Sequence, residues 1–210
     1  MAIIRQGILG GLRGRIGNVV GTGWKGRAVL KSLPLTVANP RTAGQVLQRS
    51  KFSILVTIGS NLLATIIKPL WDRSASGMSG FNAFISANQN AFQSTGYIDA
   101  ELMTISRGRM IAPSVTSATV SGKTVTVAIS NPSGDRFALP TDNIFIAWFD
   151  AASGKVAAAG QTSAVRGAGS TASATITAAP TTDITNIFDV FVSYMRTDGT
   201  EVSNSSYASL

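Results

Sequence analysis

The chain has 210 residues, of which 44% are hydrophobic and 13% charged, so it can build a core and is not disordered throughout. It contains no cysteine and no histidine, which excludes disulfides, thiolate chemistry and every Ser–His or Cys–His catalytic pair. Its formal net charge of +8 is typical of proteins that meet nucleic acid, an anionic surface or an acidic partner.

The positive charge is concentrated at one end of the chain. Residues 1–71 hold ten basic residues and no acidic one, whereas residues 72–210 hold eight basic and ten acidic residues. This asymmetry predicts a negatively charged partner, either DNA or RNA or an acidic patch on a neighbouring subunit. The basic residues predicted to bind nucleic acid are Arg13, Arg15, Lys25, Arg27, Lys31, Arg41, Arg49 and Lys51.

The first part of this basic region is rich in glycine, which favours turns and close backbone approaches over a helix. Eight glycines occur at positions 7, 10, 11, 14, 17, 21, 23 and 26. Two short apolar runs, residues 16–20 and 27–33, predict a β-hairpin with its turn around Gly21 to Gly23 and with Trp24 at one end. The alternative is a flexible arm that orders only on assembly.

The spacing Gly21-x-Gly23-x-x-Gly26 has the form of a dinucleotide-binding fingerprint. Such a site also needs a helix that opens on the glycines and a carboxylate about 20 residues later for the ribose. The first acidic residue is Asp72, and the residues after Gly26 are typical of a strand. The sequence therefore predicts no nucleotide site here, and no cofactor is expected elsewhere.

A helix is predicted to start at Asn39-Pro40, because Asn can serve as N-cap and Pro suits the first helical position. It continues through residues 52–71, whose side chains are almost all apolar. Small and polar residues at the centre, and Pro69 near the end, leave fewer than the ~20 apolar residues that a bilayer requires. We expect a buried or subunit-interface helix and no membrane partner.

Ser79 can cap a second, amphipathic helix that ends at Gly96. The residues on its packing face recur with a period of 3.6: Phe81, Phe84, Ile85, Asn88 and Phe92. One such stripe cannot cover the whole apolar surface of residues 52–71. The uncovered surface predicts a homo-oligomer in which residues 7–71 form most of the contact.

From residue 114 the apolar residues alternate with a period of two between turn signals, which predicts an antiparallel β-sandwich with an immunoglobulin- or fibronectin-III-like core. The alternating apolar positions are Val125, Val127, Ile129, Ile144, Ile146, Trp148, Ala172, Ala174, Ile176, Phe188, Val190, Val192 and Tyr194. The predicted domains are residues 1–110 and 111–210, and residues 114–210 are expected to fold alone.

The carboxylates of this sandwich are scattered among turns. Asp135, Asp142, Asp183 and Asp198 each neighbour Gly, Pro or Thr, where an aspartate caps local backbone in a solvated turn. No base is placed to activate the abundant serines and threonines, and no acidic cluster has calcium-loop spacing. The sequence therefore predicts no catalytic residue, no metal ligand and no enzyme.

Residues 10–52 contain the blocks Gly-Asn-Val-Val-Gly, Trp-Lys-Gly and Asn-Pro-x-Thr-x-x-Gln, here with Arg at the first variable position. They resemble an uncharacterised family of about this length from Bacteroidota and their phages, usually with a similar β-rich tail. The resemblance implies no activity, ligand or site. Its phage association raises the expectation of a virion component, and chromosomal members keep a cellular role open.

These observations together predict an α+β protein with a basic Gly-rich β-hairpin and two helices, followed by a β-sandwich. The expected function is a non-catalytic structural protein of a phage particle, made in the bacterial cytoplasm, which contacts nucleic acid, copies of itself or other virion proteins. The alternative is a cellular protein that binds nucleic acid without sequence preference. A surface adhesin is a third hypothesis, and the start of the chain lacks the apolar run of a secretory signal.

Overall fold

The computed structural model describes residues 3–4, 12–92, 98–185 and 187–210. Three of the eight glycines, Gly7, Gly10 and Gly11, and the predicted helix end at Gly96 lie outside the described residues. The chain divides into two compact units, Met1–Thr42 and Ala43–Leu210. The units are not divided at the predicted boundary, residue 110. The reason is that helical residues after Thr42 share a hydrophobic core with residues from the C-terminal part of the chain, such as Phe149 and Phe191.

The N-terminal unit is a four-stranded antiparallel sheet with the strand order β1-β2-β3-β4. Its strands are β1 (Ile3–Ile4), β2 (Leu12–Ile16), β3 (Val19–Trp24) and β4 (Arg27–Ser32). Tight turns at Gly17-Asn18 and Lys25-Gly26 join the last three strands. Gly17 and Gly26 have φ angles of +55° and +79°, a region that glycine enters without steric cost.

The predicted turn at Gly21 to Gly23 is wrong, because both glycines lie inside β3. A Cβ atom at Gly21 would lie 2.2 Å from the carbonyl oxygen of Leu12. Glycine at this position therefore permits the close approach of β2 to β3 and does not reverse the chain.

The second unit begins with helices. They are α1 (Ala43–Asn61), a π-helical segment (Leu63–Ile67), α2 (Lys68–Trp71) and α3 (Gly80–Asn88). Helix α1 starts three residues after the predicted Pro40, whereas the predicted cap of α3 is confirmed, since the Ser79 hydroxyl accepts from the Asn82 N–H at 3.2 Å. Within the described residues, only α1 and Leu63–Trp71 taken together, at a bend of 65°, have the length and composition of a membrane span; no single helix does.

Seven antiparallel strands follow the helices and form two sheets, with the orders β11-β10-β7-β8 and β5-β6-β9. The strands are β5 (Ser114–Ser121), β6 (Thr124–Ser130), β7 (Asn143–Phe149), β8 (Val156–Val165), β9 (Thr171–Thr177), β10 (Asp189–Met195) and β11 (Ser206–Ser209). The predicted α+β class is confirmed, with helices and antiparallel sheets in one chain.

The four-stranded sheet of the second unit, β11-β10-β7-β8, contributes side chains to two hydrophobic clusters. On one face, alternate residues of β7 and β10, such as Trp148 and Val192, join Val127 of β6. On the other face, Phe149 and Phe191 join the buried residues of the helices. Strand β7 is consequently buried on both faces, which explains why its sequence NIFIAWF has almost no polar alternation.

The sheet β11-β10-β7-β8 covers the apolar surface of residues 52–71, which was predicted to be uncovered within one chain. Leu55, Ile58 and Leu62 are fully buried in the same cluster as Phe149. The Asn61 side chain donates to the Gly154 carbonyl oxygen, 2.9 Å away in the β7–β8 turn. The premise that this surface is uncovered within one chain is therefore wrong, and an oligomer must be argued from other residues.

Candidate nucleic-acid interface

The N-terminal unit carries the charge asymmetry in its most concentrated form. Its 42 residues include seven basic residues and no acidic one, whereas residues 43–210 hold eleven basic and ten acidic residues. No ion pair can therefore form within the N-terminal unit. The unit therefore has a net positive charge that no carboxylate of its own offsets.

The strand register brings several of the predicted residues to one face of this sheet. Arg15 of β2 is opposite Val20 of β3, which is opposite Lys31 of β4, and Trp24 is opposite Arg27. Residues directly opposite in an antiparallel pair share a face, and alternate residues along a strand do so too. We call this surface the basic face; it comprises Arg15, Val20, Thr22, Trp24, Arg27, Val29 and Lys31.

The side chains of the basic face are mostly open to solvent. Arg15, Arg27 and Lys31 are exposed, and Trp24 is 52% exposed although it is a large aromatic residue. The Arg15 Nε donates to the Gly17 carbonyl oxygen at 3.0 Å, which holds this guanidinium beside the first turn. The face can therefore offer three cations and one aromatic ring to a ligand.

Three other predicted residues of the N-terminal unit lie elsewhere on it. Arg13 precedes Arg15 by two residues in β2, but Gly14 between them has a φ of +108°, so the extended alternation is broken there. The Arg13 Nη2 is 3.0 Å from the place of a Cβ at Gly23, on the opposite face of β3. Lys25 occupies the turn after β3 with a φ of +44°, and exposed Arg41 follows the sheet in an irregular segment. These three residues add to the charge of the unit without joining the basic face.

The last two predicted residues, Arg49 and Lys51, belong to the second unit, where both lie on α1. Arg49 is exposed. Lys51 is only 8% exposed, and its ammonium lies 6.0 Å from the centre of the Phe92 ring. Burial leaves the Lys51 ammonium little access to a phosphate, so we leave it out of the proposed interface.

The opposite face of the N-terminal sheet is mainly apolar, although the Arg13 guanidinium reaches it at Gly23. Ile16 pairs with Val19, and Leu30 pairs with Gly21, so the three large side chains share that face. Each of the three is at least 40% exposed. The two faces therefore differ in chemistry, with cations and an aromatic ring on one and aliphatic side chains on the other.

The second unit contains a buried cluster of charged side chains that no sequence pattern predicted. Asp142 and Arg166 are buried, and one Arg166 Nη atom lies 4.0 Å from an Asp135 carboxylate oxygen. Burial raises the pKa of Asp142, while the Leu139 N–H and nearby Arg166 and Arg196 act in the opposite direction. The two arginines of this cluster are far from Asp142 in the sequence, so no local spacing could have revealed the cluster.

The turn aspartates cap local backbone as predicted. The carboxylates of Asp135, Asp142, Asp183 and Asp198 accept from nearby N–H groups, as at Leu139, 2.7 Å from Asp142. Asp183 and Asp198 are exposed, and a hydrogen bond from Lys155 lowers the pKa of Asp183. The expectation of a solvated turn is wrong for Asp142 and for Asp135, whose side chains are both enclosed.

No group of three or more acidic side chains that could hold a metal occurs within the ranges that the structure describes. The cluster around Asp142 contains two arginines, whose charge opposes cation binding. The basic face is thus the surface whose charge and exposure point most directly to a ligand.

Residues 11–209 match a family of unknown function, DUF6266. Because the match covers nearly the whole chain, the protein belongs to this family. The predicted resemblance to an uncharacterised family is confirmed at that level and extends beyond the 45 N-terminal residues that suggested it. A comparison with curated proteins finds no match.

Proposed function

We propose that this member of the DUF6266 family is a non-catalytic structural protein whose N-terminal unit binds nucleic acid without sequence preference. The observation that carries the proposal is the basic face, on which Arg15, Arg27 and Lys31 lie together in a unit without any acidic residue. Cations spaced along a sheet can neutralise successive phosphates and release their counterions. Phosphate contacts of this kind position a nucleic acid and do not read its sequence.

The second unit would serve as a structural module in this proposal. Its seven strands divide into the first, second and fifth strands in one sheet and the fourth, third, sixth and seventh in the other. We propose that they form a fibronectin-III-like variant of the immunoglobulin sandwich, with Trp148 in the third strand at the core. This architecture occurs in proteins with many functions and says nothing about a reaction.

The place of the protein in a phage particle is the part of the proposal that comes from resemblance. The N-terminal sequence blocks are similar to those of proteins from Bacteroidota and their phages. In this reading the protein is made in the bacterial cytoplasm and resides in the virion, where it meets copies of itself or other virion proteins. The apolar face of the N-terminal sheet, with Ile16, Val19 and Leu30 exposed, is a surface that such a contact would cover.

The test is nucleic-acid binding by the full chain, measured by fluorescence anisotropy across a salt series. A triple variant, Arg15→Gln, Arg27→Gln and Lys31→Gln, removes the three cations of the basic face. If each contacts one phosphate, the slope of log K against log salt should fall by roughly 2 to 3. A matched variant removes three exposed arginines of the second unit, Arg73→Gln, Arg107→Gln and Arg136→Gln, and should leave the slope unchanged.

Two results would contradict the proposal. Absence of binding at low salt rejects nucleic acid as the partner and favours an acidic patch on a neighbouring subunit. An equal loss of slope in both triple variants assigns binding to net charge alone. Particle size by light scattering separates the structural role from the cellular alternative, since a chain that stays monomeric and binds nucleic acid favours the latter.

A further inference from the structure

The exposed tryptophan on the basic face differs from the two other tryptophans of the chain. Trp71 and Trp148 are nearly fully buried, and their indole N–H groups donate to the carbonyl oxygens of Ile105 and Ile187 at 2.6 and 3.1 Å. Trp24 is 52% exposed. What distinguishes Trp24 from other exposed apolar residues is that its indole shares one face with three cations, an arrangement that suits a contact surface.

The neighbours of Trp24 on the basic face are a cation and short side chains. Arg27 is directly opposite on β4, at a pair position where Cβ atoms are about 5 Å apart. Thr22 and Val29 form the next pair on the same face, and neither rises as high as an indole ring. Because the side chains beside it are short, the Trp24 indole next to Arg27 leaves room for another aromatic ring to stack on it.

A second pair of cations lies farther along the same face. Arg15 and Lys31 flank Val20, which precedes Trp24 by four residues in β3. Four residues of an extended strand span about 13 Å. The basic face therefore has a stacking position and one cation at one end, and two cations at the other end. This arrangement suits a nucleic-acid strand whose bases and phosphates are both accessible.

We infer that the basic face binds single-stranded nucleic acid, with a base stacked on Trp24 and phosphates held by Arg27, Arg15 and Lys31. This inference rests on the proposed function and adds the class of nucleic acid to it. A duplex presents its phosphates, but its bases are stacked on each other and cannot reach Trp24. Stacking tolerates any sequence because every base has a π-face.

The first measurement is the tryptophan fluorescence of the full chain during titration with oligothymidylate. Because Trp71 and Trp148 are buried, the emission from a water-exposed indole belongs to Trp24. Oligothymidylate should quench this emission. A blunt-ended DNA duplex with the same number of phosphates should bind with salt dependence but quench it far less.

The second measurement compares variants. Trp24→Leu should weaken oligothymidylate binding about 5- to 150-fold, the range for loss of one stacked base, and change duplex binding less than about twofold. Trp24→Phe should retain most of the affinity because it keeps a ring. The matched control is Phe188→Leu in the second unit, which removes an aromatic side chain of the same 52% exposure and should have no effect.

The outcomes separate the inference from the proposed function. If oligothymidylate binds in a salt-dependent way without quenching Trp24, or binds no better than the duplex, the inference is overturned and the proposed function stands. If neither ligand binds at low salt, both fail. If Trp24→Leu disrupts folding, as shown by its circular dichroism spectrum, the quenching of the unaltered chain still decides the question.

Discussion

The two units of the chain bury their apolar residues to very different degrees. In the second unit two hydrophobic clusters contain fully buried side chains such as Leu55, Trp148 and Phe191. In the N-terminal unit Ile16, Trp24 and Leu30 are each at least 50% exposed. Among the described residues of this unit the strands form a single sheet, and a single sheet layer does not bury its own faces.

The two units also differ in their balance of basic and acidic residues. The second unit balances eleven basic residues against ten acidic ones, whereas the N-terminal unit has seven basic residues and no acid. The second unit therefore has the properties of a self-sufficient fold, and the N-terminal unit has the exposed charge and apolar surface on which the proposed interaction rests.

The largest effect is expected from removing the helices. A fragment of residues 114–210 was expected to fold alone, but it would expose the face of the four-stranded sheet that carries Phe145, Phe149 and Phe191. Exposure of each large side chain costs about 1.5–3 kcal/mol. We now predict that this fragment lacks a cooperative thermal transition and binds a hydrophobic dye, whereas residues 43–210 melt as the full chain does.

Circular dichroism melts of the two fragments and the full chain provide the measurement. If residues 114–210 melt cooperatively without dye binding, the helices are not needed to stabilise the sheet, and the described difference between the two units is contradicted. It is also contradicted if removal of residues 1–42 lowers the melting temperature by many degrees.

The next effect compares one tryptophan from each unit. Trp148→Ala should lower the free energy of unfolding by about 3–5 kcal/mol, because it empties a fully packed position. Trp24→Ala should change it by less than about 0.5 kcal/mol, because the ring is mostly in water. Denaturant unfolding, followed by far-ultraviolet circular dichroism, measures both. Equal losses would show that Trp24 is part of a core.

The smallest effect concerns a buried phenol in the second unit. Burial raises the pKa of Tyr194 to about 12, and its hydroxyl donates to the Asn131 Oδ1 at 2.5 Å. A raised pKa in the folded state means that its contribution to stability is complete below pH ~10 and is lost as the pH rises towards 12. Tyr194→Phe should cost about 1 kcal/mol at neutral pH and flatten this alkaline decline.

The measurement for Tyr194 is chemical unfolding at several pH values between neutrality and pH ~11. Ultraviolet absorbance should in addition show that the Phe variant has one fewer late-ionising phenol, while Tyr207, whose pKa burial also raises, remains in both proteins. A decline of the same steepness in both proteins would assign the alkaline loss to other groups.

Local sequence signals predicted the local features correctly. The period-2 runs located β6, β7, β9 and β10, and the Ser79 cap located the start of α3. These features depend on residues that are neighbours in the chain, so a short window contains all the information. The absence of acidic residues before Asp72 is likewise visible without a structure.

Glycine was the local signal that misled. A glycine in a turn and a glycine beneath a neighbouring strand look alike in sequence, and Gly21 is of the second kind. The same uncertainty hid the three-strand arrangement of residues 12–32, whose turns lie at Gly17-Asn18 and Lys25-Gly26. Only the pairing of β2 with β3 distinguishes the two uses.

The sequence alone is enough to establish the charge of the N-terminal unit, the type of most elements and the apolar character of residues 52–71. Tertiary structure decided which surface covers each apolar face: the four-stranded sheet is buried on both sides, so the helices belong with it. It also decided that Arg15, Trp24, Arg27 and Lys31 share a face while Lys51 is buried. The physical reason is that burial and strand register depend on contacts between distant residues, which no local pattern records.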